Sequence, residues 1–144
     1  RRYGLRGALL FVDLDELKEV NDSLGHQAGD ELLRRICGLL RDILRTNDLL
    51  GRLGGDEFAV YLPHARAGEA ETVAGRIVEG VRRLLEDFEP GSRRGGVSIG
   101  IALAPQHGET GETLLAHADR AMYQAKTSGR NGWVIYDPGP PERA

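Results

Sequence analysis

Two short β-prone runs, Leu49–Leu53 and Glu57–Leu62, flank the triplet Gly54-Gly55-Asp56, and amphipathic helical patterns lie on both sides of them. A Gly-Gly turn between such runs predicts a β-hairpin. A hairpin set between helices argues against a doubly wound parallel fold, in which helical crossovers join the strands. It points instead to a mixed sheet with helices packed on it.

The rest of the chain fits that frame. Ala8–Val12 is a continuous apolar run that predicts a fully buried strand, ending at the acidic Asp13-Leu14-Asp15. A short helix follows, with Leu17, Val20 and Leu24 on one face. Asp22–Asp30 contains two glycines and a histidine and predicts a structured turn. A long helix then runs from about Gly29 to Leu44. Ala70 to Leu85 carry a second amphipathic helix, and Leu114 to Ala125 a third long one, stopped by Gly129. Val97, Ile99, Ile101 and Leu103 alternate as in a half-buried strand, and Trp133–Tyr136 predicts the last strand. The order is β-α-α-β-β-α-β-α-β, with a ferredoxin-like β-α-β-β-α-β core. The expected class is α+β, an α/β sandwich with a central, mostly antiparallel five-stranded sheet. A chain of 144 residues is one domain's worth. That domain is assigned to 1–137, and the Pro/Gly-rich 138–144 reads as a linker or frayed tail. Cys37 and Met122 are expected in the core, and Trp133 in core or edge-strand packing.

Composition narrows the function. With 40% hydrophobic and 28% charged residues the chain is not disordered, and a net charge of −3 argues against coating nucleic acid. An anionic ligand must therefore be held by local charges or metals. The single cysteine cannot form an internal disulfide, which points to a reducing compartment, the cytoplasm. The longest apolar run is far too short to span a bilayer. Whether a longer parent is membrane-anchored stays open.

The chemistry concentrates at two turns. Asp13 and Asp15 sit where the first strand ends, and Asp56 and Glu57 at the hairpin tip. If the first strand lies beside the hairpin, the two clusters meet. Mg²⁺ takes hard oxygen ligands, commonly one or two carboxylates completed by substrate phosphates. Two such ions can activate a hydroxyl and stabilise a leaving oxygen. Asp and Gly are also ordinary turn formers, so either cluster alone says little; both together say more.

These residues carry a family resemblance. Gly54-Gly55-Asp56-Glu57-Phe58 resembles the signature of the GGDEF domain, the diguanylate cyclase family. Phe11-Val12-Asp13-Leu14-Asp15 resembles the family's first strand and metal turn, and Asn21–Asp30 its Asn-Asp-x-x-Gly-His-x-x-Gly-Asp segment. Ser98-Ile99-Gly100, Ala118–Lys126 and Gly129-Arg130-Asn131 also match, in the family's order. The resemblance implies a fold related to the palm of nucleotidyl cyclases. It implies an enzyme that condenses two GTP into cyclic di-GMP and two pyrophosphates at the interface of two domains.

By motif position it assigns Mg²⁺ (two ions per half-site, with Mn²⁺ as an alternative) to Asp13, the Leu14 carbonyl, Asp56 and Glu57. Asp56 and Glu57 both remain candidates for the catalytic base. Asn21 and Asp30 are implied to read the guanine edge, with His26 in the same turn either on the nucleotide or bonded to backbone. The Glu16 and Leu17 N–H groups open a helix beside the phosphates, and Lys18, Lys126 and Arg130 are implied to hold them. Lys18 and Lys126 are also the lysines of a chain whose 19 basic residues are otherwise arginine. Arg45, Asp48 and Arg76 resemble the family's inhibitory product site for cyclic di-GMP.

Two departures stand out. Leu17 occupies a position where the family commonly has Phe, though only its backbone is asked to act. The leading Asp-x-Leu-Thr segment and the helix before the first strand are missing, as is the regulatory module that pairs two domains. An isolated monomer is therefore expected to be weak or inactive, and a fused sensor domain is expected in the parent. The rivals to an active cyclase are a GTP or cyclic di-GMP binding module without turnover, and an idle domain preceding a phosphodiesterase. The undamaged pentapeptide favours the cyclase.

Overall fold

The computed structural model describes residues 4–139. Its elements are β1 (Gly7–Leu14), α1 (Leu17–Leu24), α2 (His26–Ile43), β2 (Leu49–Arg52), β3 (Glu57–Pro63), α3 (Ala67–Phe88), β4 (Val97–Ala104), α4 (Gly111–Thr127) and β5 (Gly132–Ile135). The five strands form one sheet in the order β2-β3-β1-β4-β5. β1 runs antiparallel to both β3 and β4, β2 is antiparallel to β3, and among the described residues only the β4–β5 pair is parallel. The mostly antiparallel α+β sandwich expected from the hairpin is thus the observed class.

Side chains alternate across the sheet with period two and feed two cores. From β1, Ala8, Leu10, Val12 and Leu14 join Phe58 and Val60 of β3 and Ile99 and Ile101 of β4 beneath α2 and α3. Leu9 and Phe11 face the other way, onto Ala102, Ala104 and the α4 residues Leu114, Ala118 and Met122. The sheet is covered on both faces, so all eight residues of β4 are buried. The half-buried reading of that strand is thereby corrected: alternation reflected two different apolar partners, not a wet face.

The second correction concerns Asp22–Asp30, which is helical apart from one residue. Gly25 takes φ 89° and ψ 162°, ending α1, and α2 restarts at His26. Gly29 is buried inside α2 rather than in a turn. The predicted last strand is shifted by one residue, and the Tyr136 N–H continues its pairing to the Ile101 carbonyl at 2.7 Å. Cys37 is half-buried at the core margin, whereas Met122 is fully in the core. Trp133 stays 38% exposed and packs along α3, its indole N–H donating to Glu71 at 3.2 Å. Pro138 and Gly139 form no regular element, and the rest of the expected tail lies outside the described residues. No described helix is long and apolar enough to cross a membrane.

Candidate active site

The ladder brings the two acidic turns together. Asp13 at the end of β1 pairs in register with Glu57 on one side and Ser98 on the other. One step further, the Leu14 N–H donates to the Asp56 carbonyl at 2.9 Å. The hairpin tip is closed from within, since the Leu53 and Gly54 N–H groups converge on the Glu57 carbonyl at 2.8 and 3.3 Å. The Arg52 guanidinium then clamps the tip from outside, donating to the Gly54 and Gly55 carbonyls, each at 3.0 Å. Asp13, Leu14, Asp56 and Glu57 therefore share one end of the sheet.

Asp13 shares the face of β1 that packs on α4 and is only 7% exposed. Burial pushes its carboxyl up to about 6; the nearby Lys126 ammonium opposes this, and the charges of Asp56, Glu57 and Asp15 add to it. Its Oδ1 is enclosed and has no hydrogen-bond partner among the described residues. A buried, orphaned carboxylate oxygen among like charges fits a hard divalent cation. Among the described residues, no three His, Cys, Asp or Glu side chains converge to cage a metal by themselves. Such a cation would draw its remaining ligands from backbone and substrate oxygens, the usual habit of Mg²⁺.

The basic groups arrive from the end of α4. Lys126 Nζ lies 3.2 Å from Asp15 Oδ1 and 3.6 Å from Asp13 Oδ2. Beyond α4 the chain turns back on itself: Arg130 and Asn131 take φ of 63° and 51°, and the Arg130 N–H donates to the Ala125 carbonyl at 3.0 Å. This reversal sets the Arg130 guanidinium 3.5 Å from Glu16. Glu16 is the N-cap of α1 in a left-handed conformation, and no side chain caps the helix. Lys18 lies exposed on α1.

Asn21 and Asp30 belong to one helix junction. Asn21 Oδ1 is buried without a partner among the described residues, and a Cβ at Gly29 would stand 2.2 Å from it. Only glycine at 29 leaves that amide its place. The neighbouring Asp30 is exposed, as is His26. Asp30 lines an open groove of about 410 Å³ with Leu33, Arg34, Cys37, Arg41 and Arg52.

Arg45, Asp48 and Arg76 line a different cavity, of about 170 Å³, together with Ile43, Leu62, Pro63 and Val73. The Arg45 N–H donates to Asp48 Oδ2 at 2.8 Å. This cavity adjoins the Pro63 end of β3, six residues from Glu57 and thus about 20 Å away.

Four residues at the acidic end were not assigned contacts from the sequence: Arg52, Asp15, Ser98 and Asn131. Asp15 and Ser98 are buried, and Ser98 donates to both Asp15 oxygens at 2.8 and 3.0 Å. A lone serine inside the apolar run Val97–Ala104 is the signal that points to it, because buried hydroxyls need partners.

The fold is that of the GGDEF nucleotidyl-cyclase palm. The GGDEF domain of TpbB from Pseudomonas aeruginosa superposes with a TM-score of 0.79 at 41% identity, covering 92% of this chain and 78% of that one. The GGDEF domain of DgcB from Caulobacter crescentus, solved in complex with c-di-GMP, superposes with a TM-score of 0.73 at 29% identity, covering 91% and 78%. Residues 1–132 match the family profile described as "Diguanylate cyclase, GGDEF domain". The probable diguanylate cyclase DgcE of Escherichia coli K12 is 41% identical over 133 residues, which is 92% of this chain and 12% of that protein. The chain belongs to the GGDEF domain family, and it spans about an eighth of DgcE.

Proposed function

We propose that this chain, with residues 1–137 as its domain, is one half-site of a diguanylate cyclase. Two GTP molecules, one on each of two facing copies, condense to cyclic di-GMP. Each 3′-hydroxyl attacks the α-phosphorus of the other nucleotide, its proton leaves to a base, and the α–β phosphoanhydride bond breaks to release pyrophosphate. The observation that carries this reading is the register that sets Asp13 beside Glu57 with Asp56 one step away, around an orphaned Asp13 oxygen.

Asp13, Asp56, Glu57 and the Leu14 carbonyl are the groups that would hold Mg²⁺, two ions per half-site, or Mn²⁺ in its place. Bound there, the cations lower the pKa of the attacking hydroxyl and neutralise charge on the leaving phosphate. The chain's own groups do the rest. Glu57 or Asp56 takes the 3′-hydroxyl proton. The Glu16 and Leu17 N–H groups, at the uncapped start of α1, donate to phosphate oxygens. Lys18, Lys126 and Arg130 neutralise the triphosphate. Asp30 accepts from the guanine ring N–H and exocyclic amine, a donor pair that adenine does not present. Asn21 meets the guanine edge from the buried side, and His26 stands at the rim. Arg45, Asp48 and Arg76 bind cyclic di-GMP remotely and restrain turnover. The partners are thus GTP, cyclic di-GMP, a second copy of the domain and a fused regulatory domain, in the cytoplasm and without nucleic acid.

The test is to join the domain to a dimeric coiled coil, supply GTP and Mg²⁺, and follow cyclic di-GMP and pyrophosphate. Both products should form in a 1:2 ratio, and Asp56→Ala should cut turnover by roughly 10³-fold. Tight GTP binding without product would identify a nucleotide-binding module instead.

A further inference from the structure

Asp15 is assigned no contact with substrate, yet its side chain is fully enclosed and takes donors from two elements and from the turn between α4 and β5. Ser98 Oγ of β4 reaches both of its oxygens at 2.8 and 3.0 Å. Lys126 Nζ of α4 lies at 3.2 Å from Oδ1, and the Asn131 N–H, leading into β5, at 3.2 Å from Oδ2. Its own N–H donates to the Gly96 carbonyl at 2.8 Å. Such a carboxylate is rigidly held and fully satisfied.

Lys126 faces a choice. Asp15 offers it a hydrogen bond, whereas Asp13 Oδ2 at 3.6 Å is an ion-pair neighbour beyond hydrogen-bonding reach. Were the ammonium to move the short distance onto Asp13, it would neutralise that carboxylate and occupy the space that a cation needs.

We propose that Asp15 is a positioning residue that sequesters Lys126, keeping the ammonium beside the phosphate-binding turn and leaving Asp13 Oδ1, which has no hydrogen-bond partner among the described residues, open to a divalent cation. The inference rests on the reading of Asp13 as a cation ligand and Lys126 as a triphosphate ligand. Ser98 and Asn131 hold the trap in place: with both pinning the Asp15 carboxylate, it cannot follow Lys126 toward Asp13.

The experiment measures Mn²⁺ alone, bound to the full chain without nucleotide at pH 7.5, by electron paramagnetic resonance. A parallel titration measures GTP affinity. Asp15→Asn removes the charge at nearly constant shape, and Mn²⁺ binding should weaken by roughly 10-fold or more. Adding Lys126→Met to it should restore Mn²⁺ binding to within about threefold of the parent, because the competing ammonium is gone, while GTP affinity stays low as in Lys126→Met alone. A merely structural Asp15 gives no such rescue. Parent-like Mn²⁺ binding in Asp15→Asn, or a double variant as weak as Asp15→Asn, overturns the proposal. If Asp15→Asn does not fold, Lys126→Met alone decides. Mn²⁺ binding within about threefold of the parent supports sequestration, and a gain of roughly 10-fold shows that Lys126 already competes at Asp13. Unchanged Mn²⁺ binding in Asp13→Asn would instead remove the underlying reading of Asp13 as a cation ligand.

Discussion

Gly100 lies directly beneath the backbone of Ala118: a Cβ built on it would stand 1.9 Å from the Ala118 carbonyl oxygen and 2.2 Å from the Met122 nitrogen. The atoms in the way are helix backbone, so no rotamer change relieves the clash. Gly100→Ala should push α4 off β4 and cost about 3 kcal/mol, or roughly 10 °C in melting temperature. Because Lys126 rides on α4, GTP affinity should fall as well. Calorimetry and nucleotide titration on the same sample check both.

Asp13 predicts a pH dependence of cation binding. With its carboxyl raised to about 6, chiefly by burial, the proton would compete below that pH with a cation bound there. Apparent Mg²⁺ affinity should be level above pH 7 and fall towards tenfold per unit below about 6. The stability effect has the opposite direction. A carboxyl whose folded value exceeds its ordinary 3.8 binds the proton more tightly when folded, so its contribution is full below 3.8 and lost as pH rises through about 6. Asp13→Asn should therefore melt higher than the parent at pH 7.5 without metal.

His107 predicts a second one. The Leu103 N–H donates to its Nδ1 at 2.9 Å, which requires that nitrogen to be unprotonated. Burial first, and then the neighbouring His117, hold its pKa below the ordinary 6.5. Its contribution to stability is present above 6.5 and is lost as pH falls toward the lowered value. Melting curves between pH 5 and 7.5 should show the parent losing stability more steeply on acidification than His107→Gln.

Arg52 holds the Gly54 and Gly55 carbonyls, and the tip they form carries Asp56 and Glu57. Arg52→Ala should leave the fold intact, since the side chain is exposed, yet lower kcat by roughly tenfold as the tip loosens. Arg52→Lys, with one compact donor group in place of a fork, should recover part of that.

Arg45 lines the remote cavity with Asp48 and Arg76, about 20 Å along β3 from the acidic turns. Arg45→Ala should raise the inhibition constant for cyclic di-GMP by at least about tenfold and leave the initial rate unchanged. An unchanged inhibition constant would remove product inhibition from the proposed function.

The hairpin, the apolar period of the helices and the order of elements were legible because they depend on near neighbours along the chain. Leu49 to Leu62 contain the whole reason for their own turn. The acidic residues of both turns were legible as residue types as well. The Asp22–Asp30 segment reads as a turn from its sequence, yet it folds as two helices meeting at Gly25, because glycine has two uses. Gly25 breaks a helix through its positive φ, whereas Gly29 sits within one to make room for Asn21. Local sequence does not distinguish them.

By itself, the sequence determined the sheet's strand types, the family and the chemical nature of the acidic turns. These rest on short-range propensity and on side-chain identity. The tertiary structure alone decided that β4 is buried on both faces, that Arg52 closes the tip it precedes, and that Lys126 hydrogen-bonds Asp15 while standing only at ion-pair distance from Asp13. Those outcomes depend on which groups register opposite one another across β1, β3 and β4 and on how closely α4 approaches the sheet. Residues 83 to 116 positions apart meet at Asp15 because burial leaves its charge no other partners.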